Sequence, residues 1–230
     1  MVMAKTKREN QAFLKSLSET VRGAHETFWL ATRFLPSDQR KRALCLLCLD
    51  AEFYRVATTT QENMIALIRL QWWRDEIDKL EAGQEPQQTE AALALAFLLQ
   101  ACSHERNNIL RLIDTYDDML STGSVGHSET LFAVLFSSTD HHSGLARLCG
   151  DVFRQANQGA VQKESVVSLS EAIHTAHADL WPWLCLFDFV PEWLTKENLS
   201  PFRKRWRIWK AFLAGEKRLA KKLRTLAETA

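Results

Sequence analysis

The sequence predicts an all-α protein that folds as a single-domain helical bundle, and three observations support this prediction. Strong helix formers dominate, whereas helix breakers are scarce, with eight glycines and five prolines in 230 residues. Apolar residues recur three and four positions apart along most of the chain, and only short connections separate these segments. A content of 46% hydrophobic and 25% charged residues is ordinary for one folded domain of this length.

Prolines, glycines and cap residues set the predicted helix boundaries. Thr60 and Thr89 are predicted N-caps, and Ser200 is a third, followed by a proline at the first helical position. Residues 1–10 are polar, and their start is expected to be frayed. The predicted helices cover residues 13–34, 38–57, 61–82, 91–102, 106–120, 128–138, 142–160, 179–194 and 200–226, with a weaker pattern over 163–177.

The five cysteines lie in apolar, helical surroundings, and there is no secretory signal pattern at the start of the chain. They are Cys45, Cys48, Cys102, Cys149 and Cys185. We therefore expect buried free thiols in a reducing compartment, which favours a cytoplasmic protein. No run of about 18 apolar residues occurs, so no membrane-spanning segment is predicted.

The net charge of +1 hides an asymmetry between the basic C-terminal helix predicted at 200–230 and the rest of the chain. Residues 200–230 carry ten Lys or Arg and two acids, a net of +8, which leaves −7 for the preceding part. The helix also carries an apolar set at helical spacing: Phe202, Trp206, Trp209, Leu213 and Leu223. Two interpretations remain open, because this face either packs on its own bundle or contacts a membrane surface or protein partner. The second interpretation uses Arg203, Arg207, Lys210, Lys217 and Lys221. An acidic body argues against nucleic acid as the partner.

The stretch Ile68–Asp78 combines paired tryptophans with two arginines and three acids inside a helical pattern. Trp72 continues the apolar positions Ile65 and Ile68, so it is predicted to lie in the core. Its neighbour Trp73 must face another direction, and we predict that it lines a pocket or an interface. The flanking arginines, Arg69 and Arg74, either hold an anionic group or pair with nearby acids.

Several motifs together resemble the squalene/phytoene synthase family. They are Ala31–Pro36, Arg42–Leu44, Arg69–Arg74, Gly83–Pro86 and Leu199–Arg203. The resemblance covers most of the chain and is most specific in its first 120 residues. It implies an isoprenoid-synthase-like helical bundle around a central apolar cavity.

The resemblance also implies a chemistry that this sequence does not fully support. Family members condense two prenyl diphosphates head to head and hold Mg²⁺ with two aspartate-rich helical motifs, because carboxylates and diphosphate oxygens are ligands that Mg²⁺ accepts. At the first motif this chain has Tyr54, Arg55 and Thr58, and at the second it has Asn157 without matching acids. Asp50 and Glu52 remain, but residues two apart point to different faces of a helix.

These departures resemble a metal-motif-poor branch of the family that includes mitochondrial assembly factors for respiratory complex I and bacterial relatives. We therefore expect a non-catalytic binding or respiratory-complex assembly protein with no metal or cofactor. Its partners would be a protein in respiratory-complex assembly, a prenyl lipid and a peripheral membrane contact, with the chain located in the cytoplasm and peripherally at the inner membrane. The pocket or ligand candidates are Tyr54, Arg55, Arg69, Trp73, Arg74 and Asn157.

The alternative hypothesis is a head-to-head prenyl transferase that uses unfamiliar acids. Asp114, Asp117 and Asp118 are three and four positions apart, so they share one face of a predicted helix and could hold Mg²⁺. The competing interpretation of the same residues is a solvated acidic surface.

Overall fold

The protein is entirely α-helical within the part of the chain that its computed structural model describes. The described residues are 7–60, 62–101, 104–123, 127–136, 143–176, 178–191 and 199–229. They form twelve α-helices joined by turns and short 3₁₀ segments, with no strand in these ranges, which confirms the predicted fold class. The expected fraying concerns residues 1–6, which lie outside the described residues, whereas residues 7–10 are already helical.

The contacts of the chain divide it into two compact units. Unit 1 comprises residues 1–29 and 36–124, and unit 2 comprises residues 30–35 and 125–230. That residues 1–230 form a single domain therefore stays a prediction, and the units are described in turn. The helices of the first 124 residues are α1 Lys7–Ala24, α2 Glu26–Thr32, α3 Ser37–Thr59, α4 Asn63–Glu81, α5 Glu90–Ala101 and α6 Glu105–Thr122.

Helix α3 is the centre of unit 1. It contacts α1, α4, α5 and α6, and every residue from Ala43 to Asp50 is buried. A helix that is surrounded on all sides has no polar face to present, which explains the unbroken apolar run. Near the start of α3, Arg42 forms an ion pair with the buried carboxylate of Glu105 on α6, and Asn108 donates to the same carboxylate at 3.2 Å.

The helix boundaries of unit 1 mostly follow the predictions, with two corrections. The predicted helix 13–34 is wrong, because the chain leaves the helical conformation at His25. Thr60 is not an N-cap: its hydroxyl donates to the Val56 carbonyl at 2.8 Å, at the end of α3. Thr89 does cap α5, because its hydroxyl oxygen accepts from the Ala92 N–H at 3.2 Å.

Unit 2 is built from shorter pieces. Its helices are α7 His127–Phe136, α8 Ser143–Asn157, α9 Lys163–Ile173, α10 Trp181–Leu184, α11 Pro201–Ala214 and α12 Glu216–Thr229. Between residues 178 and 191, α10 lies between the 3₁₀ segments Ala178–Leu180 and Cys185–Phe189, so one helix over 179–194 is not formed, and residues 192–194 lie outside the described residues. Helices α7 and α8 approach so closely that a Cβ on Gly150 would overlap the Glu129 backbone.

The basic C-terminal segment is two helices, whereas one helix was predicted over 200–226. Gly215 separates α11 from α12 and has φ +78°, a conformation that a residue with a side chain rarely adopts. The predicted start is confirmed, since the Ser200 hydroxyl accepts from the Arg203 N–H at 3.4 Å and Pro201 is the first helical residue. Among the described residues, no helix is both long and apolar enough to cross a membrane.

Candidate functional site

The burial of the paired tryptophans of α4 is not the one that the sequence predicted. The buried side of α4 is formed by Ala66, Leu70, Trp73 and Ile77, and Trp73 is only 5% exposed. Its ring meets the ring of Phe53 edge-on, with centroids 5.7 Å apart. The assignment of Trp72 to the core is wrong: Trp72 is half-buried, and Ile68, which shares its predicted stripe, is 62% exposed. The role of Trp73 as a ligand residue stays a prediction.

Arg74 pairs with two of the three acids that were fallback candidates for metal binding. One of its terminal nitrogens, Nη2, donates to Asp114 Oδ1 and to Asp117 Oδ2, each at 2.8 Å. Partial burial disfavours the charge on Arg74, but both carboxylates favour it, and the net effect raises the pKa of Arg74 above its usual value. Of the two alternatives for this arginine, the structure contains the pairing with acids. The third acid, Asp118, is exposed.

The region that corresponds to the first aspartate motif is the C-terminal part of α3. Arg55 makes two hydrogen bonds to Glu52, at 2.9 and 2.5 Å, and this contact raises the pKa of Arg55. The Thr58 hydroxyl donates to the carbonyl oxygen of Tyr54, whose side chain is exposed. Within the described ranges, no group of three or more His, Cys, Asp or Glu residues is placed to hold a metal ion.

The N-terminal half of α4 carries an exposed apolar patch, defined here as Met64, Ile65 and Ile68. All three side chains are exposed, and Arg69, also exposed, follows directly. An apolar surface beside a guanidinium suits a ligand with a hydrocarbon part and an anionic part. For Arg69, the two alternatives of an anionic ligand and of pairing with nearby acids stay predictions.

Unit 1 also contains a buried polar network that the sequence did not reveal. Asp50 is fully buried, and the Tyr116 hydroxyl donates to its Oδ1 at 2.9 Å. The Nε2 of His25 lies 3.1 Å from Asp50 Oδ2. Burial, and then the charge of Asp50, raise the pKa of Tyr116 well above its usual value. The one signal in the sequence was that Asp50 directly follows an apolar run. An acid in this position is expected to be buried and to form hydrogen bonds with residues of other helices.

The described cysteines fit the expectation of buried thiols. Cys45, Cys48, Cys149 and Cys185 are free and buried, whereas Cys102 lies outside the described residues. Burial, with smaller effects of Glu90 and Glu52, raises the pKa of Cys48 to about 12. A thiol that keeps its proton at neutral pH is a poor nucleophile and a poor metal ligand, so these positions serve packing.

In unit 2, the region that corresponds to the second aspartate motif contains few carboxylates outside ion pairs. Asn157 is the exposed last residue of α8. Asp151 accepts from Arg154 at 2.7 Å, and Glu129 on α7 lies nearby. Partial burial, and then the neighbouring charge of Asp151, raise the pKa of Glu129.

The predicted basic surface divides into inward and outward side chains. Arg207 donates to the Asp188 carboxylate at 3.0 and 3.1 Å, and Lys222 donates to it at 2.8 Å, so Arg207 is not part of an open basic surface. Burial lowers the pKa of Lys222 despite this contact. The other predicted residues, Arg203, Lys210, Lys217 and Lys221, are exposed. Lys221 also lines an open cleft of about 400 Å³ in unit 2, together with Pro191, Arg218, Lys222, Thr225 and Leu226.

The apolar residues of the C-terminal segment divide in the same way. Leu223 on α12 is buried, as packing on the protein's own bundle requires. The other four residues of the predicted set, all on α11, are exposed: Phe202, Trp206, Trp209 and Leu213. Packing on the protein's own bundle therefore applies to Leu223, whereas a membrane or partner contact of the exposed residues of α11 stays a prediction.

Comparison with known protein families gives a match in the first part of the chain. Residues 21–131 match the family model for squalene/phytoene synthase. Over this region, which runs from α1 into α7, the chain is similar to the squalene/phytoene synthase family. No curated protein and no solved structure gave a match. The resemblance of residues 199–203 and the assignment to the metal-motif-poor branch lie beyond this match and stay predictions.

Proposed function

We propose that the protein is a non-catalytic member of the squalene/phytoene synthase family that acts as a binding or respiratory-complex assembly protein. The observation that carries this proposal is the double contact of Arg74 with Asp114 and Asp117. The contact of Arg55 with Glu52 has the same consequence on α3. In each case a guanidinium occupies carboxylate oxygens that would otherwise be open to Mg²⁺.

The physical argument is competition for the same oxygens. Charge-assisted hydrogen bonds between guanidinium and carboxylate are among the stronger polar contacts in proteins. Mg²⁺ binds carboxylates at about 2.0–2.1 Å in near-octahedral geometry and tolerates little distortion. Binding at Asp114 and Asp117 would require that Arg74 leave both acids and would place a second cation beside it. No metal or cofactor is therefore part of the proposed function.

The ligand that fits unit 1 best is a prenyl lipid. The exposed patch of Met64, Ile65 and Ile68 offers apolar surface, and Arg69 offers a donor for an anionic end group. A protein partner in respiratory-complex assembly could use the same surface. The proposed location is the cytoplasm, with peripheral contact at the inner membrane.

A turnover assay tests the proposal directly. The purified 230-residue chain is incubated with Mg²⁺ and labelled farnesyl or geranylgeranyl diphosphate, and apolar products are extracted. An active synthase of the family serves as the assay control. We expect no squalene-like or phytoene-like product from the folded protein. Steady product formation would overturn the proposal.

The alternative function is a prenyl transferase that uses Asp114, Asp117 and Asp118. The observation in its favour is that these acids stand three and four residues apart on α6, so they share a face. A transferase predicts that a prenyl diphosphate raises the unfolding temperature only when Mg²⁺ is present. It also predicts loss of activity when all three acids are changed to Asn. Activity that survives this triple change would contradict the assignment of these acids.

A further inference from the structure

The exposed side of α11 carries an apolar stripe, defined here as Phe202, Trp206, Trp209 and Leu213. These residues are four, three and four positions apart, so they follow one face of the helix. The first is 77% exposed and the last is 63% exposed, and the two tryptophans between them are exposed as well. Water-exposed tryptophans and phenylalanine in a continuous row are unusual on a protein surface that has no partner.

This stripe is not a core face that has been left uncovered, because α11 has a second apolar side that is buried. Ile208 and Ala211 are buried, and the ring of Phe212 stacks on Phe34 with centroids 4.4 Å apart. The Trp181 indole N–H donates to the Phe212 carbonyl at 3.2 Å, and Arg207 is bonded to Asp188. These contacts hold α11 on unit 2 and orient the stripe outward.

The charges around the stripe are all of one sign along α11. The helix contains five Lys or Arg residues and no acid. Arg203, Arg205 and Lys210 are exposed, and the ammonium of Lys210 lies 5.2 Å from the centre of the Trp206 ring. The two tryptophan rings stack on each other with centroids 5.0 Å apart.

We propose that α11 is a docking surface for an anionic phospholipid bilayer, with the apolar stripe inserted at the headgroup boundary and the flanking cations on the lipid phosphates. Tryptophan prefers this boundary because its ring is apolar and its N–H is polar. Exposed Lys and Arg beside such a face attract anionic headgroups. A second copy of the chain fits less well, since it would bring the same cations face to face. The inference does not depend on whether the protein is catalytic.

Vesicle flotation with the whole 230-residue chain tests the proposal. The protein is mixed with phosphatidylcholine vesicles or with vesicles that also contain phosphatidylglycerol. We expect flotation with the anionic vesicles and a loss of binding as salt is raised, because exposed charges are screened. The double variant Trp206→Ala/Trp209→Ala should bind at least about tenfold more weakly. The charge variant Arg203→Glu/Lys210→Glu should also lose binding.

A matched control removes an exposed aromatic side chain elsewhere. Phe97→Ala takes an exposed ring from α5, and this variant should float as the wild type does. Circular dichroism and urea unfolding verify that each variant is folded. Three results would overturn the proposal: wild-type protein that ignores anionic vesicles, a tryptophan double variant that binds them equally well, or a stripe that instead mediates a concentration-dependent dimer without lipid binding.

Discussion

Helices α4 and α11 carry the same dipeptide, tryptophan followed by arginine, and place it in opposite orientations. In α4, Trp73 is 5% exposed, and the following Arg74 bonds to acids at the surface. In α11, Trp206 is 46% exposed, and the following Arg207 turns inward to Asp188. Neighbouring residues on a helix point about 100° apart, so only one of the two can face the interior.

The difference shows what decides the use of a tryptophan. In α4, Trp73 belongs to the buried side of the helix, and its ring meets that of Phe53 inside unit 1. Helix α11 has two apolar sides, and the side formed by Ile208 and Ala211 already supplies its packing. The second side of α11 is therefore not required for folding, and its residues are available for a surface role. Substitutions that separate stability from binding test this difference between α4 and α11.

The largest expected difference is between Trp73→Ala and Trp206→Ala. Removal of the buried ring should cost about 3–5 kcal/mol of unfolding free energy, because a large cavity is left in unit 1. Removal of the exposed ring should change that free energy by less than about 0.5 kcal/mol. Urea unfolding followed by circular dichroism measures both. Equal losses would mean that Trp206 packs in the folded protein, and the contrast between α4 and α11 would fail.

The next effect concerns Tyr116, whose ring lies near that of Phe53 and whose hydroxyl bonds to buried Asp50. Tyr116→Phe should cost about 1–3 kcal/mol, because it removes a donor to a buried carboxylate. The pKa of Tyr116 is raised in the folded state, whereas the usual value is 10.0. As the pH rises above 10, the unfolded chain releases this proton and the folded chain retains it, so the stability of the protein falls.

The two tyrosines of the chain allow a clean control for this effect. In Tyr54→Phe, Tyr116 is the only tyrosine left, and the tyrosinate absorbance then reports this residue alone. We expect that absorbance to appear together with unfolding, and we expect the alkaline loss of stability to be less steep in Tyr116→Phe than in Tyr54→Phe. Ionisation of Tyr116 in the folded protein near pH 10 would contradict its burial beside Asp50.

The sequence predicted the helices well and their faces less well. Existence and approximate length of α3 to α6 follow from apolar spacing and from caps such as Thr89. The error at Trp72 is a shift of one residue, because Ile65 and Ile68 compete with Ala66 and Leu70 for the same periodicity. Small Ala66 contributes little to an apolar pattern, although it marks where another element packs closely.

The polar contacts of unit 1 were harder to predict, because the residues that form them are distant in sequence. Asp50 and Tyr116 are 66 residues apart, and Arg74 and Asp114 are 40 apart. Spacing along one helix reports which residues share a face, but it does not report which other helix supplies the partner. The apolar stripe of α11 was hard to predict for a similar reason. Two sets of apolar residues recur at helical spacing along this helix, and only tertiary packing decides which set is buried.

The smallest predicted effect tests the arginine of α4. Arg74→Gln removes the guanidinium between Asp114 and Asp117, and it should cost about 0.5–1 kcal/mol because these side chains are partly in water. Arg69→Gln changes an exposed arginine on the same helix and should stay within about 0.5 kcal/mol of the wild type. Urea unfolding with and without Mg²⁺ measures both variants. If Mg²⁺ stabilised Arg74→Gln but not the wild type, then Arg74 would be the group that keeps a metal from these acids, and the proposed loss of metal-dependent chemistry would rest on that single side chain. If Mg²⁺ stabilised the wild type itself, the competition argued for Arg74 would be refuted.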